Sequence, residues 1–163
     1  MEAQKGFTLI EVLIALIIVA IGVLGHAKMQ AKSMNIAQQG FFAQTANTAL
    51  LDLAQRMRAN SDLAGSFVFS NLSDGSDIVA SKDCSANSCD EDEFATEELA
   101  EWFDHLQNNL PSPRFSVEVD SSDANLYNLM LIWDAAKTGV GSGVCDTTAL
   151  NSYQCGSMSV WVQ

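Results

Sequence analysis

The N-terminus carries an almost uninterrupted apolar run. Residues 12–25 are all apolar or glycine, and the run extends back to Phe7, with Thr8 and Glu11 as its polar members. As a helix, residues 7–25 would be about 28 Å long, close to the hydrocarbon thickness of a bilayer. A carboxylate in a spanning helix costs about 2.5–3.5 kcal/mol on insertion scales. Glu11 is therefore expected to have a function.

Three ordinary explanations of this run leave something unexplained. A cleaved secretory signal has a basic start, an apolar core of roughly 7–15 residues and a small-residue cleavage site. Here the core is longer and the leading MEAQK is barely basic. A plain membrane anchor fits the length, and a buried helix of a soluble protein would also be apolar on every side. Neither of these two gives Glu11 a partner.

Composition bounds the rest of the chain. Of the 163 residues, about 130 follow the run, which is enough for one domain and not for two. The formal net charge is −12, and an acidic surface argues against nucleic acid as a partner. Aromatic residues interrupt the acidic clusters, so these clusters indicate a solvated face of a folded domain rather than a disordered tail.

All four cysteines lie in the second half of the chain: Cys84, Cys89, Cys145 and Cys155. An even number beyond a membrane segment indicates disulfides in an oxidising compartment. Three pairings exist, and the C-x4-C and C-x9-C spacings favour two local loops, Cys84–Cys89 and Cys145–Cys155. Zinc is the competing interpretation, although zinc modules usually contain C-x2-C pairs. We therefore expect disulfides and no metal.

The stretch KGFTLIEVL, residues 5–13, resembles the class III signal of type IV pilins and pseudopilins. In that signal a short polar leader ends in Gly, and Phe, Thr, two aliphatic residues and Glu follow in order. The resemblance implies that a prepilin peptidase cuts between Gly6 and Phe7 and N-methylates Phe7. Gly6 suits the cut because it has no Cβ. The implied segments are a leader, a hydrophobic transmembrane or filament-core helix, and a periplasmic head that includes the second half of the helix: 1–6, 7–30 and 31–163.

The same resemblance implies a role for Glu11 in assembly. In the filament, the charged amine of Phe7 on one subunit would lie near Glu11 of a neighbour within an apolar bundle. A matched pair offsets much of the cost of burying two charges and sets the register between subunits. The implied partners are other major and minor pilins, the prepilin peptidase, the inner-membrane assembly platform and a tip adhesin. No cofactor is expected. The protein is expected in the bacterial inner membrane before assembly and in a pilus on the cell surface afterwards.

Hydrophobic periodicity predicts the secondary structure. Nothing between Thr8 and Arg58 forces a helix to end, so we expect one helix about 75 Å long. Residues 66–92 are predicted to be a loop-rich connection. A second helix and at least three antiparallel strands are also predicted, over 93–110, 115–119, 126–133 and 157–162. Apolar and polar residues alternate over 115–119, which predicts a strand with one buried and one solvent-facing side. Residues 126–133 are apolar on both faces, which predicts a central strand. The fold class is α+β, and the resemblance implies a type IV pilin-like form, a long N-terminal α-helical spine with a small antiparallel β-sheet head.

Two apolar stripes are predicted to supply the core of this head. The second half of the long helix repeats apolar residues at helical spacing: Ala46, Leu50, Leu53, Ala54 and Met57. The second helix does the same: Leu99, Trp102, Phe103, Leu106 and Leu110. Pro111 and Pro113 are expected to end the second helix.

Two stretches of the head resemble PilV-type minor pilins. They are LAQRMRAN, residues 53–60, and a cysteine pair followed by an acidic amphipathic helix, LP and a strand ending in W-D. This resemblance implies a minor pilin that takes part in type IV pilus assembly or priming, and in adhesion or twitching motility. A minor pseudopilin of a type II secretion system shares the same N-terminus and is the alternative. An ordinary single-pass periplasmic binding module would instead show no cleavage at Gly6.

No catalytic constellation is recognisable in the sequence. His26 and His105 have no nucleophile in a recognisable turn to pair with. In the glycine-rich stretch 139–143 a Lys-Thr pair precedes the glycines, whereas a P-loop has its Lys-Ser/Thr after them. The acidic stretch 90–93 lacks the alternating ligands of a calcium loop. We therefore expect a protein that is not an enzyme.

Overall fold

The computed structural model describes residues 6, 8–135, 137, 139, 145 and 153–163. The chain divides into two compact units, Met1–Gly40 and Phe41–Gln163. Within the described residues, the first unit is helical, and the second contains helices and a sheet. We call the second unit the head.

Helix α1 spans Leu9–Ala59 and contains 51 residues. The prediction of one uninterrupted helix is confirmed, and the absence of proline before Pro111 is its main physical reason. The large apolar side chains between Leu9 and Leu24 are 50–80% exposed. Among the described residues, α1 is the one helix long and apolar enough to cross a membrane.

The part of α1 that belongs to the head buries the predicted stripe. All five of its predicted members are at most 1% exposed. Phe42, one turn before Ala46, is also buried and extends the stripe. These side chains belong to a single core cluster that includes residues of the second helix and the sheet.

Helix α2 spans Glu91–Asn109, two residues earlier at its start than predicted. Asp90 caps it: the Asp90 side chain accepts from the Glu93 N–H, and the Glu93 side chain accepts from the Asp90 N–H. This reciprocal capping box satisfies two helix-terminal donors and explains the earlier start. The predicted burial of the five stripe residues is confirmed, and the last of them, Leu110, is the C-cap directly after α2.

The prediction that residues 66–92 form a loop-rich connection is partly wrong. A 3₁₀ helix occupies Ser61–Phe67, and strand β1 occupies Phe69–Ser73. The FSNLS sequence of β1 has no regular apolar alternation, so its local pattern does not indicate a strand. Tertiary contacts stabilise the strand conformation instead. The ring of Phe69 stacks on the ring of Phe115, with 5.2 Å between centroids.

The head contains one antiparallel sheet of four strands in the order β1-β2-β3-β4. Strands β2, β3 and β4 span Arg114–Val119, Leu126–Asp134 and Tyr153–Trp161. Strand β3 pairs with both β2 and β4, which confirms the prediction that the strand apolar on both faces is central.

Strict alternation in β2 is not observed. Ser116, predicted to face solvent, is 4% exposed, whereas Val119, predicted to be buried, is 43% exposed. Ser116 lies in the middle of its strand, opposite Met130 of β3, so neighbouring strands shield its small side chain. Val119 is the last residue of β2, where fewer neighbours cover it.

Candidate processing and assembly site

The N-terminal end of α1 is organised around Thr8, which directly precedes the first helical residue. The main-chain oxygen of Thr8 accepts from the N–H groups of Glu11 and Val12, over 3.1 and 3.4 Å. Glu11 therefore lies in the first helical turn. Unpaired N–H groups give this end a partial positive charge, which favours a carboxylate there.

The side chains of Thr8 and Glu11 also meet. The Thr8 hydroxyl donates to Oε2 of Glu11 over 3.4 Å. The T-x-x-E spacing of these two residues is that of a capping box and could have indicated this contact from the sequence. The contact gives the Glu11 carboxylate a local hydrogen-bond donor but no counter-charge.

Glu11 faces an apolar surface. Beside it, Val12, Ala15, Leu16 and Val19 line a shallow hollow. In the part of the chain that the structure describes, Glu11 forms no ion pair. The predicted partner, Phe7, lies outside the described residues.

Gly6 is exposed, and a Cβ added to it would meet no atom within 4 Å. Packing within the described residues therefore does not require glycine at this position. We attribute the glycine at position 6 instead to the approach of a second protein to the backbone. Cleavage after Gly6 stays a prediction.

Two disulfides lie in the head. Cys84 is joined to Cys89, and Cys145 is joined to Cys155. Both carboxylate oxygens of Glu97 on α2 accept from the Cys84 N–H, over 3.0 and 2.9 Å, so the first loop is attached to α2. Cys84, Cys89 and Glu97 cluster closely, but the disulfide occupies both sulfurs and leaves no thiolate for a metal.

The other candidate residues that the structure describes do not come together in a site. His26 and His105 are both exposed. Asp90 and Glu93 form the capping box of α2, which gives these carboxylates a structural role. Apart from Gly139, the stretch 139–143 lies outside the described residues.

Comparison with known families identifies the N-terminal segment. Residues 1–25 match the family described as the prokaryotic N-terminal methylation motif. The chain carries a class III prepilin-type signal. This signal is consistent with the type IV pilin superfamily, and the long α1 with a small antiparallel sheet is a pilin-like α+β architecture. No curated protein matches the chain, and no solved structure matches it.

The match of residues 1–25 indicates the general class of the protein. The motif indicates a pilin-type or pseudopilin-like structural protein, and such a signal implies processing by a prepilin peptidase and assembly with other pilins. The signal and the apolar helix also fit anchoring in a membrane before assembly.

Proposed function

We propose that this chain is a minor pilin of a type IV pilus, processed by prepilin peptidase and acting in pilus assembly or priming. The observation that carries the proposal is the methylation motif over residues 1–25, which includes the exposed apolar start of α1. Adhesion and twitching motility are the activities such a pilus would serve. The head would face the periplasm before assembly and the cell surface afterwards.

Processing would occur at the bond between Gly6 and Phe7. Removal of 1–6 would expose the amine of Phe7, which the peptidase would then methylate. A secondary amine still carries a proton at neutral pH, so the new N-terminus would remain a cation. It would lie close in sequence to the carboxylate of Glu11.

Assembly would be driven by burial of the apolar start of α1 among equivalent helices. Burying a large aliphatic side chain is worth about 1.5–3 kcal/mol, and 7–30 carries many that are exposed. Apolar contacts alone would not fix the register between neighbouring helices, because different registers bury similar areas. The pairing of Glu11 with the Phe7 amine of a neighbour would select one register, since a mismatched register leaves two buried charges unpaired.

The minor-pilin assignment rests on the PilV-type resemblance of the head. In LAQRMRAN, Leu53 and Met57 are buried, while Arg56 pairs with Glu98 of α2 over 2.6 Å. The next arginine, Arg58, donates to the main-chain oxygen of Trp161 in β4 over 3.5 Å. This segment therefore attaches α1 to both α2 and the sheet, so its residues have a structural role in the head.

The first test is the intact mass and N-terminal peptide of the protein from its native membrane. Loss of 1–6 together with one added methyl group on Phe7 is expected. An intact Met1, or cleavage after Ala27, would overturn the proposal. A deletion strain then distinguishes a type IV pilus from a type II secretion system. Loss of piliation supports the pilus, whereas loss of protein secretion with normal piliation supports the pseudopilin alternative.

A further inference from the structure

A groove lies on the head where α1 and α2 meet. It encloses about 460 Å³. Residues of both helices line it, among them Phe41, Asp52 and Arg56 of α1 and Trp102, His105 and Leu106 of α2. Phe41 is 58% exposed. We call this surface the acidic groove, for the charges described next.

Negative charge is in excess around Arg56, at one end of the acidic groove, where Asp52 lines the groove and two further carboxylates of α2 lie beside Arg56 outside the lining. Arg56 lies 3.1 Å from Asp52, 2.6 Å from Glu98 and 3.7 Å from Glu101. Within the described part of the chain, one guanidinium contacts three carboxylates, so two negative charges are not balanced by a cation. The side chains of Asp52 and Glu101 are 50% and 73% exposed, so both carboxylates can accept a further cation from outside.

A complementary surface lies on the first unit of the same chain. Lys28, Met29, Lys32 and Ile36 fall within about 100° of one another around a helix with 3.6 residues per turn. We call them the basic stripe. All four are exposed, and neither lysine has an ion-pair partner among the described residues.

We propose that the basic stripe of one copy docks in the acidic groove of a second copy. The two lysines match the two uncompensated carboxylates in number, and their Cα atoms are one helical turn apart, about 6 Å. Phe41 lies about 16 Å before Asp52 along α1, and Ile36 lies about 12 Å beyond Lys28, so Ile36 is the apolar stripe residue that can approach Phe41. Only side chains need to enter the groove, whose volume suits them better than an entire helix.

This contact deepens the proposed function and rests on it. The two surfaces differ, so the contact is heterologous: the copy that supplies its stripe retains a free groove, and its partner retains a free stripe. Contacts of this type that do not close into a ring generate open helical assemblies. The contact would therefore act alongside Glu11 at a separate position, between residues 28–36 of one copy and the head of the next.

Charge reversal in two separately tagged full-length copies tests the contact. Copy A carries Lys28→Glu and Lys32→Glu, and copy B carries Asp52→Lys and Glu101→Lys. Each variant alone should co-purify with itself about tenfold less than wild type in mild detergent, the order expected from reversing two exposed charge pairs. A mixture of A and B should regain association, because the negative stripe of A meets the positive groove of B. The apolar run is identical in every variant, so its contribution cancels.

The matched control reverses two carboxylates elsewhere on the head. Asp62→Lys with Glu118→Lys makes the same change in net charge at two exposed positions and should associate as wild type. Association of A or B at the wild-type level would overturn the proposal, as would failure of the A–B mixture to recover. Wild-type protein that never self-associates would also overturn it and would point to a different pilin as occupant. N-terminal cleavage in each variant is read separately, so failure of the docking contact is distinguishable from failure of the proposed function.

Discussion

Trp102 on α2 donates a hydrogen bond from its indole Nε1 to the main-chain oxygen of Ala49 on α1, over 2.9 Å. The Trp102 side chain is 2% exposed, and its ring meets Phe115 of β2 edge-on with 5.0 Å between centroids. One residue therefore joins both helices to the sheet.

Replacing this indole should destabilise the head. Trp102→Phe removes the hydrogen bond, worth about 1 kcal/mol net, and leaves a partly filled space. We expect the free energy of unfolding to fall by about 2 kcal/mol, measured by urea denaturation of the full-length protein in detergent. The control is Trp161→Phe, because Trp161 is 49% exposed and should change stability by less than about 0.5 kcal/mol. Equal effects of the two substitutions would contradict the role given to Trp102.

Gly75 should tolerate no side chain. Its φ is +75°, and an added Cβ would overlap the ring of Phe103. Left-handed backbone and overpacking together predict that Gly75→Ala lowers the free energy of unfolding by about 2–4 kcal/mol. Gly65→Ala is the matched control, because a Cβ there meets no atom within 4 Å and φ is not in the left-handed region. A smaller effect at Gly75 than at Gly65 in urea denaturation would show that this steric argument is wrong.

Asp120 should make the head sensitive to acid. The hydroxyl of Ser122, its N–H and the Asn128 amide all donate to the Asp120 carboxylate and lower its pKa to about 2 from an ordinary value of 3.8. Because the folded state holds the ionised form, this stabilisation is present above about pH 4 and is lost as pH falls towards 2.

Two variants test this pH dependence. Asp120→Asn should remove this part of the acid destabilisation, and Ser122→Ala should remove some of it, because the Ser122 hydroxyl is the largest cause of the lowered pKa. The measurement is the urea midpoint between pH 6 and pH 2. Parallel profiles for wild type and Asp120→Asn would contradict the prediction.

The helices and the central strand were predictable because their patterns are local. The α1 stripe at Leu50, Leu53 and Met57 repeats at helical spacing, and burial follows from it directly. Strand β1 was not predictable in this way, since Phe69 pairs with Val117, 48 positions away along the chain. Such long-range pairing overrides weak local preference.

The functional residues show the same difference between local patterns and long-range contacts. The motif identified Gly6, Phe7 and Glu11 because it is a contiguous string of unlike residues. The acidic groove was not predicted, because Asp52 and Glu101 come from different helices and meet only when α1 and α2 pack. Surfaces that depend on tertiary packing carry no contiguous pattern for periodicity to detect.

Glu11 provides the last prediction. Glu11→Ala should leave cleavage after Gly6 intact, because the cut lies outside the helix that begins at Leu9. It should lower incorporation into fibres, since leaving a buried amine without its partner costs about 3–5 kcal/mol. Such a cost predicts a fall of about a hundredfold or more in the fraction recovered in sheared pili.

Two further substitutions separate charge from shape at this position. Glu11→Gln preserves the size of the side chain and should fail like alanine, whereas Glu11→Asp keeps the charge and should retain part of the incorporation. Thr8→Ala removes the hydroxyl that donates to Oε2 of Glu11 but leaves the carboxylate, so it should have the smallest effect. Wild-type amounts of Glu11→Ala in sheared pili would refute the register argument, because the counter-charge of the amine would then have to come from elsewhere.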